Sequence, residues 1–120
     1  KALPPVMANK NELLQVFLNL LLNAAQAMAS NRGDDRRVIL ATGVIGANVV
    51  VRVRDIGTGI ESDRLDRLFE AFYTTKAKGM GMGLAVCRSI VENHGGRIRA
   101  ENNPDRGATF TIELPAVTNG

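Results

Sequence analysis

The strand-like runs from residue 49 onwards all alternate. Val49, Val51 and Val53, then Ile98 and Ala100, then Phe110, Ile112 and Leu114 fall on one side, while Arg52, Arg54, Arg97, Arg99, Thr111 and Glu113 fall on the other. Successive side chains of a strand point to opposite faces, so this sheet has one dry face and one wet one. A doubly wound parallel sheet, dry on both faces, is excluded. The expectation is an α/β protein: a two-layer α/β sandwich with a mixed, mostly antiparallel sheet and one face covered by three helices.

Local signals place the elements. Asn9 with Glu12 three residues later resembles a capping box, and the apolar pattern that follows runs to about Met28 before Ser30, Asn31 and Gly33 end it. Strands are expected at 38–42 and 48–55, joined by a short Gly-containing hairpin turn. Leu65, Leu68, Phe69 and Phe72 recur at helical spacing in residues 61–72. Leu84, Cys87, Ile90 and Val91 define a third helix stopped by Gly95 and Gly96, followed by a second hairpin of residues 97–101 and 108–114.

A chain of 120 residues, 45% hydrophobic, suits one domain spanning 1–120. It contains no apolar stretch near the roughly 20 residues that span a bilayer and no signal-peptide pattern, so it reads as soluble and cytoplasmic. It opens on Lys1 and runs into LPPV, as a domain excised from something longer would, and a membrane anchor of that parent would lie outside these residues. One cysteine, Cys87, builds neither a disulfide framework nor a zinc site. The net charge is +3 with the basic residues scattered and without interleaved aromatics, which argues against a nucleic-acid partner.

Two polar residues interrupt the first helix. Asn19 and Asn23 lie one turn apart inside VFLNLLLNAAQAM, with Gln15 a turn earlier on the same stripe. An unpartnered buried carboxamide costs about 1–3 kcal/mol, so this seam needs something to meet it. Asp55 ends an apolar strand ahead of Gly57 and Gly59, side-chain-free residues that would leave its carboxylate facing open space. A carboxylate only accepts hydrogen bonds, which suits the exocyclic amine of adenine and repels the keto oxygen of guanine.

The glycine loop 79–83, GMGMG, runs directly into the third helix, so consecutive N–H groups and the positive helix end face whatever lies ahead, with Lys76 and Lys78 nearby. Phosphates fit there. Neither glycine cluster matches GxxxxGK[ST] or GxGxxG, and no Ser/His/Asp set is present; His94, the one histidine, reads as a helix cap. The asparagine seam, the adenine-suited Asp55 and the phosphate-suited loop account for one another if the seam's partner is Mg·ATP, with a neutral Asn oxygen as a hard ligand for Mg²⁺.

These segments resemble the catalytic ATP-binding domain of bacterial sensor histidine kinases, in motif order and over nearly the whole chain. NLLLNAAQAM is similar to the family's N box, DIGTGI to the first glycine box, LFEAFYTTK to the phenylalanine box, GMGMGLAVCRSIVENHGG to the second glycine box and GATF to the last. The resemblance implies the Bergerat ATP-binding fold, with Asn23 as the Mg²⁺ ligand and Asn19 beside the phosphates. It implies Asp55 as the adenine reader and Gly57 and Gly59 as the pocket turn. Tyr73, Thr75, Lys76, Gly79, Met80, Gly81, Met82, Gly83 and Leu84 would hold the nucleotide, and Phe69 and Phe72 would anchor a lid. Asn19, Asn23 and Lys76 would be the catalytic set.

Two departures from the family stand out. Many members carry an adenine-stacking aromatic where this chain has Ala27. Alternation also sends Ala108 inward and Thr109 outward, so Thr109 is not assigned to the site. Relatives of the same fold that hydrolyse ATP carry a Glu at the position of Asn19, and a carboxamide cannot act as a general base, which favours transfer to a partner. The resemblance implies that the γ-phosphoryl goes to a histidine on a separate helical dimerisation domain and then to a response regulator. The fragment itself would be monomeric and its parent a homodimer. An anti-sigma-type serine kinase and a non-catalytic docking module are the alternatives.

Overall fold

A computed structural model of the chain describes residues 5–29, 37–65, 67–70 and 81–117. The elements in order are α1 (Lys10–Ala27), β1 (Val38–Ile45), β2 (Asn48–Asp55), α2 (Ser62–Leu65), α3 (Gly81–Asn93), β3 (Arg97–Asn102) and β4 (Ala108–Pro115). The strands form one sheet in the order β1-β2-β4-β3, every pairing antiparallel. Register follows the alternation: Val53 sits opposite Phe110, Val51 opposite Ile112, Ile98 opposite Ile112 and Ala100 opposite Phe110. Val16 and Leu20 of α1 and Cys87, Ile90 and Val91 of α3 close over Val53, Ile98, Phe110, Ile112 and Leu114 to make the core. Among the described residues, no helix is long and apolar enough to cross a membrane.

The cap at Asn9 forms as expected, its side-chain oxygen accepting from the Glu12 N–H at 3.0 Å. His94 joins that helix start to the end of α3. The Asn9 N–H donates to Nε2 at 3.0 Å, so the ring proton sits on Nδ1, 2.7 Å from the Ile90 carbonyl that accepts it. His94→Ala removes the acceptor of the Asn9 N–H and leaves the Ile90 carbonyl with only the backbone N–H of residue 94, at 3.2 Å, and is expected to cost about 1 kcal/mol, a few degrees of melting midpoint. A midpoint equal to the parent's would contradict this.

Three expectations need correction. Among the described residues of the helix read over 61–72, Ser62–Leu65 are α-helical and 67–70 form a turn, with Arg67 N–H bonded to the Arg64 carbonyl and Glu70 N–H to that of Arg67, while 66, 71 and 72 lie outside the described residues. Phe69 packs edge-on against Phe110 at 6.2 Å between ring centroids, so a tertiary anchor overrides the helical period. The three expected helices are present as α1, α3 and the single turn α2, and α1 and α3 supply the helical part of the core. β1 runs to Ile45 because Gly46, at φ 58°, allows a tight connection through Gly46 and Ala47.

The outer face of the sheet is also drier than its alternation implies. Val50 is 0% and Thr111 2% exposed, although both point away from the helices. β2 and β4 are the central strands, and long side chains lie across them. Glu113 accepts from Arg99 at 2.8 Å and from Asn48 at 3.2 Å, bridging three strands. The Arg99 guanidinium, with Asn48 assisting, holds the Glu113 carboxyl below the usual carboxylate range.

Candidate functional site

Asp55 is the last residue of β2, and parity with Val53 puts it on the helix-covered face, where it is 2% exposed. One carboxylate oxygen, Oδ1, accepts from the Gly57 N–H at 2.9 Å and from the Ala108 N–H at 3.2 Å. These bonds orient the carboxylate. Ala108 was legible as an inward residue, but the role of its N–H as a partner of Asp55 was not. Thr109 is half-buried and its hydroxyl donates to Asn103 Oδ1.

The glycines do not hold open space as expected. A Cβ on Gly57 would lie 2.4 Å from the Ala27 carbonyl oxygen, because the loop after β2 is pressed against the end of α1, and the Thr58 N–H donates to that same oxygen at 3.3 Å. Gly59 is needed for its left-handed backbone at φ 80°. Gly107, which opens the GATF motif but was given no role of its own, adopts φ 82°, and a Cβ there would sit 2.2 Å from the Asp55 carbonyl oxygen. Its G-A-T-F context is the signal that could have found it.

On α1, Asn19 and Asn23 are half-buried and Gln15 is exposed, so the seam is open to solvent at its start. Asn19 lies against α3. Its Nδ2 donates to Cys87 Sγ at 3.7 Å, and the thiol donates to the Val16 carbonyl at 3.8 Å. Burial pushes the Cys87 thiol up, which keeps the S–H on the sulfur. At 1.5 Å per residue, Asn23 stands about 6 Å and Asn19 about 12 Å along the axis from Ala27, the residue that touches the Asp55 loop.

α3 begins at Gly81 rather than Leu84, so Gly81, Met82 and Gly83 form its first turn instead of a loop. Glycine costs least at such a terminus, and first-turn N–H groups have no intrahelical acceptor. A Cβ at Gly83 would lie 3.8 Å from Asn19 Cγ, so the two helices meet where the asparagine is. Leu84 follows, half-buried against the core. Tyr73, Thr75, Lys76, Gly79 and Met80, with Phe72 and Lys78, lie outside the described residues. The structure thus brings together Asn19 and the start of α3 on one side, and Asp55, Gly57 and the end of α1 on the other.

A concavity of about 220 Å³ lies between α1 and the β1–β2 hairpin, lined by Phe17, Leu21, Leu40, Thr42, Val51 and Val53. With one hydroxyl among its lining side chains it offers nothing to a phosphate. No cluster of three His, Cys, Asp or Glu side chains suited to a metal occurs among the described residues.

Residues 8–118 match the family of histidine kinase-, DNA gyrase B-, and HSP90-like ATPases. The chain belongs to that family. Within this ATPase family its relatives include the sensor histidine kinase ZraS of Escherichia coli, 44% identical over 94% of this chain and 23% of that protein. The sensor protein FixL of Bradyrhizobium diazoefficiens is also 44% identical, over 93% of this chain and 22% of its own length. The chain therefore spans less than a quarter of these curated relatives. Among solved structures, the catalytic domain of histidine kinase ThkA, in a nucleotide-free form, superposes with a TM-score of 0.80 at 34% identity, covering 92% of this chain and 70% of that one. Full-length ShkA in complex with AMPPNP matches with a TM-score of 0.80 at 31% identity, over 98% of this chain and 24% of that one.

Proposed function

We propose that this chain is the catalytic ATP-binding domain of a sensor histidine kinase, taking Mg·ATP and presenting its γ-phosphate to a histidine on a separate helical dimerisation domain. The observation that carries the reading is the linear order of the site. Asp55, a buried acceptor, lies at one end of α1; Asn23 stands about one turn and Asn19 about two turns back from Ala27, and Asn19 meets the first turn of α3. That order matches purine, metal and phosphates. ShkA, of the same fold, is described with AMPPNP bound, and ZraS and FixL are named as sensor proteins, which favours histidine as acceptor over a serine of an anti-sigma partner.

Each residue then has a task. Asp55 accepts from the purine amine. The first-turn N–H groups of α3 face phosphate oxygens, joined by Lys76, Tyr73, Thr75, Gly79 and Met80 from the preceding segment. Asn23 would offer a neutral oxygen to Mg²⁺, an ion that keeps most of its waters and asks little of the protein. When bound, the metal neutralises phosphate charge. Asn19 is not a base: its carboxamide has no proton affinity to offer water, and its Nδ2 is engaged by Cys87. Transfer then rests on positioning and charge neutralisation. The domain works in the cytoplasm as part of a longer, homodimeric parent whose phosphoryl group passes to a response regulator.

Calorimetry with ADP and Mg²⁺ tests the binding reading, and no heat at millimolar nucleotide would overturn it. Phosphoryl transfer is tested separately. The one histidine, His94, is committed through both ring nitrogens, with its side chain 10% exposed, so γ-labelled ATP is expected to leave the isolated chain unlabelled. Adding the parent's helical domain should restore label on that domain.

Asp55→Asn gives a sharper result. The two N–H groups at Oδ1 demand an oxygen there, so the new –NH₂ must take the other position, donor against the purine's donor. ADP affinity should fall by on the order of tenfold or more, with tripolyphosphate affinity unchanged. Parental ADP binding by this variant would remove Asp55 from the site.

A further inference from the structure

The loop that leaves β2 is held at both ends by two adjacent asparagines whose side chains diverge. Asn102, the last residue of β3, bonds both backbone groups of Ile60: Ile60 N–H donates to Oδ1 at 2.7 Å, and Nδ2 donates to the Ile60 carbonyl at 2.7 Å. The carboxamide thus imitates a paired strand residue. Gly59 is fitted around it, with a Cβ there only 3.0 Å from Asn102 Oδ1.

Asn103 holds the opposite end. Its Nδ2 donates to the Asp55 carbonyl at 3.1 Å and to the Arg106 carbonyl at 2.9 Å, while its Oδ1 accepts from Thr109. Its own N–H donates to the Gly107 carbonyl at 2.9 Å, which closes the turn that delivers Ala108 N–H to the Asp55 carboxylate. Between the two clamps, Gly57 and Thr58 are fixed by Asp55 Oδ1 and the Ala27 carbonyl.

We propose that Asn102 and Asn103 are positioning residues that hold the Asp55–Ile60 loop in its purine-binding shape before nucleotide arrives. This rests on reading Asp55 as the adenine acceptor. Asn102 is exposed, so its bonds compete with water and add little to global stability. Their consequence is local: a loop already ordered is not ordered at the expense of binding. Asn103, half-buried against Asp55, serves both purposes.

The test is ADP calorimetry with and without Mg²⁺ on Asn102→Ala and Asn103→Ala, together with melting midpoints and amide exchange. For Asn102→Ala the expected result is ADP affinity lower by on the order of fivefold to tenfold. The loss should be the same factor with and without Mg²⁺, because the Asn23 end of the site is untouched. Exchange should quicken at Gly57, Thr58, Gly59 and Ile60 while the melting midpoint stays within a few degrees. Asn103→Ala should weaken ADP at least as much and also lower the midpoint. Parental ADP affinity in Asn102→Ala, alongside a parent that binds ADP, would overturn the proposal alone. A parent that does not bind ADP would overturn the site reading and the proposal with it.

Discussion

Asn23→Ala is expected to remove the Mg²⁺-dependent part of ADP affinity, a fall on the order of a hundredfold, or about 2.7 kcal/mol, when measured at saturating Mg²⁺. Without Mg²⁺, variant and parent should bind alike. The surroundings of Asn23 set this outcome. It is half-buried on α1 between Asn19 and Ala27, where its carboxamide oxygen would reach the metal beside the phosphates. The fold should survive, since alanine is a good helix former and the buried residues of α1 are Val16, Leu20 and Ala24 on the neighbouring face. Two calorimetric titrations and a melting curve decide it. Retention of the Mg²⁺ effect would send the metal ligand elsewhere.

Gly107→Ala is expected to be the most damaging single methyl at this site. Alanine at φ 82° costs about 1–2 kcal/mol in backbone strain. The new Cβ would also sit 2.2 Å from the Asp55 carbonyl oxygen and 2.9 Å from its Oδ1, and the first of these is backbone that cannot rotate away. Relief requires β4 to separate from the end of β2, which breaks the Ala108 N–H bond to Asp55. The combined loss should reach about 3–4 kcal/mol, on the order of 10–15 °C of melting midpoint, and ADP binding should fall below detection even in the residual folded fraction. Gly43→Ala is a control, because nothing lies within 4 Å of a Cβ there and its φ is ordinary. A Gly107→Ala variant that melted within a few degrees of the parent would show that the turn can relax without disturbing Asp55.

Much of the scaffold was open to reading because its signals are local. A period of two in Val49, Val51 and Val53 and in Phe110, Ile112 and Leu114 sets which side is dry, whatever the strands pair with. The cap at Asn9 and the stop at Gly95 act within one helical turn. Asp55 stood out because it breaks an apolar strand just ahead of glycines. Less legible was why those glycines are there: Gly57 yields to the Ala27 carbonyl and Gly107 to that of Asp55, contacts between segments 30 and 52 residues apart in the numbering. Residues 67–70 misled for the same reason, since Phe69 answers to Phe110 rather than to its own helical period.

By itself, the order of residues determined the faces of the strands, the polar seam of α1 and the residue types available to a purine, a metal and phosphates, because period and chemistry belong to the chain. Tertiary structure alone decided which oxygen of Asp55 is already bonded, that Cys87 engages Asn19, that Val50 and Thr111 are dry, and that Asn102 and Asn103 grip the loop. Each of those facts is a meeting of atoms brought together by packing, and packing depends on the shape of every element at once.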